Sequence, residues 1–161
     1  MISPEILFVL LAFETDVIVS AMRSPSGASA ELLRLLRHGK LFAGVSVALA
    51  LEHEAVCLRA EHLQAAGLTE KQGLVFVDAV VAMAHPVAVH YHWRPQLRDP
   101  SDEMVLEAAV NAKAEVLLTF NLRHFQMAAT RFGLQVQRPG DFLRSFSWVM
   151  LLPTRCACHA R

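Results

Sequence analysis

Short, strongly apolar runs alternate with longer amphipathic segments along this chain, and this alternation restricts the folds that are open to it. The short runs predict strands at residues 6–13, 41–45, 87–91, 116–120 and 133–137. The longer segments predict helices at residues 28–37, 47–60, 69–84, 101–112 and 121–129, with a last helix beginning at Pro139. Because parallel strands need crossover connections, the sequence predicts an α/β fold in which helices cover both faces of a mainly parallel central sheet.

The length of 161 residues suits one domain of this kind, and the 54% of hydrophobic residues supply a core for it. We assign residues 1–146 to that domain and residues 147–161 to a C-terminal tail, which we expect to be partly mobile. Fifteen Lys and Arg balance fifteen Asp and Glu, so the chain has no overall positive field. A nucleic-acid partner would therefore need a local basic patch.

The sequence also indicates where the protein resides. Residues 6–13 form the longest strongly apolar run near the start, far below the ~18–20 residues of a membrane-spanning helix. Acidic residues flank this run, which does not fit a secretory signal. Three cysteines do not form a disulfide framework, so a reducing compartment is favoured. We expect a cytoplasmic protein with no membrane partner.

Acidic residues collect where the predicted strands end. They are Glu14, Asp16, Glu52, Asp99, Asp102 and Glu103. The carboxyl ends of parallel strands meet at one edge of a sheet, so we expect these carboxylates to converge there, Glu52 if its helix leans over that edge. Converging carboxylates repel each other unless they share a proton or bind a cation. Hard oxygen ligands favour Mg²⁺ or Mn²⁺.

Simpler interpretations remain open for the same residues. Asp102 and Glu103 are also good first-turn residues for a helix capped by Ser101, because the positive end of the helix dipole favours acids. Glu52 could lie on a solvated helix face. Thr119 and Asn121 could simply end a strand and cap the next helix.

Four segments of the chain form a recognisable combination. The first begins Glu14-Thr15-Asp16 and reaches residue 28, and the others span residues 52–56, 93–103 and 118–125. In this order and spacing they resemble the PIN-domain ribonucleases, in particular the branch described as toxin components of toxin–antitoxin systems. The resemblance covers roughly residues 6–144.

This resemblance implies a PIN-like fold and a metal-dependent endoribonuclease that hydrolyses RNA phosphodiester bonds, with Mg²⁺ or Mn²⁺ as cofactor. It implies a cognate antitoxin protein as partner, besides the RNA substrate, and a homodimer is common in the family. The catalytic carboxylates would be Glu14, Glu52 and Asp102. The metal ligands would come from Glu14, Asp16, Glu52, Asp99, Asp102 and Glu103. Thr119, Asn121 and His124 would position water or phosphate, and Arg94, Arg98 and Arg123 would contact RNA.

The chain departs from the family pattern at two places. Glu14-Thr15-Asp16 stands where the family has Asp-Thr-Asn, so the first carboxylate lies one methylene further from the backbone and a new carboxylate follows it. His124 stands where the family has Asp, and an imidazole suits Mn²⁺ better than Mg²⁺. These departures support an alternative: a PIN-fold RNA-binding or protein-binding module with weakened catalysis.

Overall fold

Parallel pairing of five strands organises the described part of the chain. The computed structural model describes residues 9–151, and the side chains of residues 9–146. The strands are β1 (Leu10–Phe13), β2 (Phe42–Val45), β3 (His85–Pro86), β4 (Val116–Leu118) and β5 (Gln135–Gln137). They pair in the order β3-β2-β1-β4-β5, and every pairing is parallel. Strand β1 is therefore central, which places its carboxyl end in the middle of the sheet edge.

Helices connect these strands. They are α1 (Thr15–Arg23), α2 (Ala28–Arg37), α3 (Val47–Cys57), α4 (Ala60–Ala66), α5 (Glu70–Met83), α6 (Glu103–Asn111), α7 (Leu122–Arg131) and α8 (Pro139–Leu151). Thr69 caps α5 as predicted: its hydroxyl accepts from the Gln72 amide at 3.3 Å, and the Gln72 side chain accepts from the Thr69 amide at 2.9 Å.

Two apolar cores lie on opposite faces of the sheet because successive strand side chains alternate. Leu11 and Phe13 belong to one core, which α1, α2 and α5 cover, whereas Ala12 belongs to the other, which α6 and α7 cover. The prediction of an α/β fold with a parallel sheet between two helical layers is confirmed.

The predicted strand at residues 87–91 is wrong, because the edge strand consists of His85–Pro86 alone. The amides of His90 and Tyr91 donate to the Asn111 side chain at 3.0 Å and 3.2 Å rather than to a neighbouring strand. The alternating pattern of residues 87–91 therefore belongs to an irregular segment, which the Asn111 side chain attaches to α6.

Other boundaries also differ from the predictions. The helix predicted at residues 47–60 ends at Cys57, and α4 begins after a break at Leu58 and Arg59. Helix α1 is absent from the predicted elements. Ser101 does not cap α6, since the N-cap position is Asp102 and the Ser101 hydroxyl donates to Asp99 at 2.7 Å.

The C-terminal prediction falls mostly outside the described residues. Helix α8 continues through Leu151, across the predicted boundary after residue 146. Residues 152–161, with the rest of the predicted tail, and residues 1–8, with the start of the first predicted strand, lie outside the described range. Between residues 9 and 151, no helix combines the length and the apolar character that a membrane crossing requires.

Candidate active site

Two carboxyl side chains, Glu14 and Asp16, lie just beyond the carboxyl end of β1. The loop that follows β4 contacts both of them. The Glu14 amide donates to the carbonyl of Leu118 at 3.0 Å, and the Thr119 hydroxyl donates to Oε2 of Glu14. The Phe120 amide donates to Oδ2 of Asp16 at 3.1 Å. The two central strands thus hold this acidic pair between them.

Burial dominates the electrostatics of the pair. It raises the pKa of Glu14 to about 8, because the 6% exposed side chain cannot be hydrated when charged. The Thr119 hydroxyl opposes this rise, and the charges of Asp16 and Asp102 add to it. Burial also raises the pKa of Asp16, against the Phe120 amide, which lowers it. At neutral pH the pair therefore retains a proton unless a cation compensates the charge.

Asp102 brings a third acidic group to the site from the other side. It is the N-cap residue of α6, and its Oδ2 lies 3.0 Å from Nδ1 of His124 on α7. The Asp102 side chain is 15% exposed, whereas that of His124 is 54% exposed. Because the charge of Asp102 acts on both Glu14 and Asp16, we group these three residues as the acidic cluster. His124 orients the Asp102 carboxylate.

Glu52 reaches the site from α3, and its neighbour His53 fixes that helix against α1. Nδ1 of His53 lies 2.9 Å from the Thr15 hydroxyl, and the His53 side chain is buried. Burial lowers the pKa of His53 to about 4, so the imidazole is neutral at physiological pH. His53 is a site residue that the sequence does not reveal, because its acidic neighbours Glu52 and Glu54 suggest an exposed face rather than a buried hydrogen bond.

An open cleft of about 830 Å³ contains the acidic cluster, and we name it the acidic cleft. Its acidic wall comprises Glu14, Asp16, Glu52 and Asp102. Four of the six predicted metal ligands are therefore brought together, from the start of α1, from α3 and from the start of α6. The lining also includes Arg23, Arg59 and His62, none of which was predicted as a site residue.

The other two predicted ligands lie elsewhere. Asp99 does not line the acidic cleft; its carboxylate accepts from the amide and hydroxyl of Ser101, contacts that lower the pKa of Asp99. Glu103 is 2% exposed and accepts from the backbone amide of Leu97 at 2.8 Å and from that of Gln96. Both acids hold the loop that leads into α6, and the structure does not bring them to the acidic cluster.

Arg94 is engaged in a similar structural contact. Its guanidinium binds both oxygens of Glu107, with Nε to Oε1 at 2.8 Å and Nη2 to Oε2 at 2.9 Å. Glu107 is buried, and the Arg94 hydrogen bonds lower its pKa. Together with Glu103 and Asn111, Glu107 fastens residues 90–97 along one face of α6, at the four-residue spacing that a helix face requires.

A second opening lies beside the acidic cleft, and we name it the lateral cleft. It measures about 460 Å³, and its lining includes Arg98, Asp99, Asp102, Arg123 and His124. Asp102 lines both clefts. Two of the three predicted RNA-binding arginines therefore share a surface that adjoins the acidic cluster.

Thr119 and Asn121 follow β4 as predicted, but in different surroundings. Thr119 is fully buried against Glu14. Asn121 is exposed, and its backbone N–H donates to the Thr119 hydroxyl oxygen at 2.7 Å. Thr119 therefore orients a carboxylate directly. Only Asn121 has a side chain open to water or phosphate.

The donors of the acidic cluster fit a hard divalent cation by their chemistry. Oδ1 of Asp16 is buried and has no hydrogen-bond partner among the described side chains and backbone, a state that buried polar atoms rarely keep. Carboxylate oxygens are the ligands that Mg²⁺ and Mn²⁺ prefer. Over residues 9–146, however, no three His, Cys, Asp or Glu side chains stand close enough to form a finished metal site.

Comparison with known proteins gives two similarities. Residues 11–123 match the profile of a family described as "PIN domain". No curated protein sequence matches the chain significantly. Among solved structures, a similar fold occurs in VapBC2 from Rickettsia felis bound to a DNA fragment from their promoter, with a TM-score of 0.58 and 12% identity. The similarity covers 81% of this chain and 98% of that chain.

Proposed function

This chain belongs to the PIN-domain family, and from that membership we propose that it is a metal-dependent endoribonuclease that hydrolyses RNA phosphodiester bonds. The observation that carries the proposal is the convergence of Glu14, Asp16 and Asp102 in one cleft. Glu14 and Asp16 stand at the start of α1 and Asp102 at the start of α6, and charged carboxyl groups are costly to bury unless a cation compensates them.

The three residues of the acidic cluster would hold Mg²⁺ or Mn²⁺, with Glu52 at the rim of the cleft. When bound, the ion would lower the pKa of a water and stabilise negative charge on the phosphate. The chain's own groups preset the ligands for this. Thr119 orients Glu14, the Phe120 amide fixes Asp16, and His124 fixes Asp102, so little reorganisation is needed during the reaction.

A toxin role with a cognate antitoxin protein is part of the same proposal. It is supported by the resemblance of the four sequence segments to the toxin branch of the family, and by the fold shared with VapBC2. An antitoxin that covers the acidic cleft would prevent RNA from entering it. The expected homodimer stays a prediction, and exposed apolar side chains at Val47 and Leu51 of α3 and Val75 of α5 offer a surface for it.

The direct test is hydrolysis of single-stranded RNA by the purified chain, with EDTA, Mg²⁺ or Mn²⁺. We expect cleavage within the strand only when an ion is present, and a loss of about 10-fold to 100-fold in Glu52→Gln, which removes a charge at the cleft rim. Glu54→Gln is the matched control, because Glu54 lies on the same helix outside the acidic cleft. RNA that binds without being cut, with either ion, would support the binding-module alternative instead.

His124 provides a separate prediction about the choice of ion. We expect the wild-type chain to cleave faster with Mn²⁺ than with Mg²⁺, because the imidazole beside Asp102 tolerates Mn²⁺ better. His124→Asp adds a hard oxygen donor there and is expected to raise Mg²⁺-supported cleavage by about tenfold. His124→Gln, which can still donate to Asp102, is the control. If cleavage by wild type, His124→Asp and His124→Gln depends on Mg²⁺ and on Mn²⁺ in the same way, the side chain at position 124 does not affect binding of the ion.

A further inference from the structure

The acidic cleft and the lateral cleft meet at Asp102, and each contains two arginines. Arg23, at the end of α1, and Arg59, just before α4, line the acidic cleft. Arg98 and Arg123, the latter on α7, line the lateral cleft. Each of the two clefts that share Asp102 therefore carries its own pair of basic side chains.

These four arginines are free to bind a ligand. All are exposed, and none has an ion pair or a side-chain hydrogen bond with any residue that the structure describes. In contrast, Arg94 is paired with Glu107 and Arg34 with Glu31. Because the chain has zero net charge, positive charge at these two places is a local arrangement.

A buried ring nitrogen gives the acidic cleft one further polar group. His62 lines the acidic cleft with Arg23 and Arg59, and its Nδ1 is buried with no hydrogen-bond partner in the described part of the chain. Buried polar atoms normally have a partner, so this unpaired nitrogen adds a polar group beside the two arginines. Guanidinium groups bind phosphate oxygens in pairs of hydrogen bonds, which makes phosphate the matching chemistry.

We propose that one single-stranded RNA segment runs through both clefts and crosses Asp102. Arg23 and Arg59 hold phosphates on one side of the bond to be cut, and Arg98 and Arg123 hold phosphates on the other side. This inference rests on the proposed function and adds to it the path of the substrate. This path requires an RNA strand that continues on both sides of the acidic cluster. The chain is therefore expected to cut bonds within an RNA strand and to bind short RNA fragments weakly.

The path leaves Arg94 out. Its guanidinium is occupied by both oxygens of a buried carboxylate, and releasing it would leave Glu107 without its main partner. Arg94 thus holds the loop that carries Arg98, and it acts as a positioning residue. Arg94 was predicted to contact RNA together with Arg98 and Arg123 because a sequence does not show which arginine has a carboxylate partner.

The test measures RNA binding in the Glu52→Gln background with Mg²⁺, by anisotropy of labelled single strands of about 4 and about 12 nucleotides. The variants are Arg23→Ala with Arg59→Ala, and Arg98→Ala with Arg123→Ala. Arg37→Ala is the control, since Arg37 is exposed on α2 and lines neither cleft. All of these side chains are exposed, so thermal unfolding is expected to stay unchanged.

We expect each double variant to weaken binding of the longer RNA by about tenfold and to reduce its salt dependence by about 0.7 per lost phosphate contact. The shorter RNA is expected to respond to only one of the two pairs. If either double variant binds the longer RNA with unchanged affinity and salt dependence, the strand does not cross both clefts and the inference is wrong. If neither RNA binds any of the proteins, wild type included, the proposed function itself fails.

Discussion

Asp102→Asn is expected to reduce RNA cleavage by at least about 100-fold, because it removes one of the three charges of the acidic cluster while keeping the shape of the side chain. Asp99→Asn is expected to stay within about threefold of wild type, because the Asp99 carboxylate is exposed and screened by solvent. The two residues lie in the same loop, three positions apart, and the sequence predicted both as metal ligands. Only Asp102 lines the acidic cleft.

Single-turnover cleavage of one RNA at saturating Mg²⁺ or Mn²⁺ measures both effects. Asparagine at position 102 can still accept from His124, so the local structure is expected to persist. Equal losses of cleavage in Asp102→Asn and Asp99→Asn would mean that both substitutions act by disturbing the loop before α6, and not through the charge of Asp102. Full activity of Asp102→Asn would contradict the proposed metal mechanism.

The stability of the metal-free protein is expected to fall as the pH rises from about 6.5 to about 8. Glu14 has a pKa of about 8 in the folded chain against an ordinary 4.5, so the folded state holds a proton that the unfolded state has already lost. As the pH rises, the free energy of unfolding therefore decreases until Glu14 ionises in the folded state, by on the order of a few kcal/mol in total. Asp16, whose pKa is also raised, acts in the same direction.

His53 limits where this effect can be seen. Its pKa is lowered from 6.5 to about 4, so the unfolded state binds the extra proton and stability rises with pH between those values. Below about pH 6.5 the contributions of His53 and Glu14 therefore oppose each other. Above about pH 6.5, His53 no longer opposes the decrease in stability that Glu14 and Asp16 cause.

Chemical unfolding in EDTA across this range, compared for wild type and Glu14→Gln, isolates the contribution of Glu14. The variant is expected to lose much of the decline, to be more stable than wild type at pH 8, and to cleave no RNA. Glu61→Gln is the control, since Glu61 is an exposed acid on α4. Added Mg²⁺ is expected to stabilise wild type most at high pH. The same slope in wild type and Glu14→Gln would show that burial does not perturb this carboxyl group.

The sequence was sufficient for the parts of the site that follow from sheet topology. Glu14 and Asp16 could be placed beside the end of β4 because parallel strands carry their carboxyl ends to one edge. Asp102 and Glu103, in contrast, are adjacent acids that the pattern cannot distinguish. About 100° of rotation separates neighbouring residues on a helix, and here it directs one carboxylate to the acidic cleft and the other to the backbone of Leu97.

Two of the remaining errors share a physical cause, which is that side-chain hydrogen bonds formed contacts that the sequence pattern does not encode. Residues 87–91 have the alternation of a strand, but Asn111 supplies the hydrogen bonds that a neighbouring strand would have supplied. Asp99 receives the Ser101 hydroxyl that was expected to cap α6. Such contacts depend on which residues meet in three dimensions, so hydrophobic periodicity carries no information about them.

The hydrogen bond between Thr119 and Glu14 joins residues that are 105 positions apart in the chain. It has a consequence for the order of events during synthesis. On the ribosome, Glu14 and Asp16 emerge early but lack the hydroxyl and amide that orient them until β4 and Phe120 have emerged and paired beside β1. In an incomplete nascent chain that ends before β4, Glu14 and Asp16 therefore lack both of these contacts, so the arrangement of the acidic cluster is completed late in synthesis.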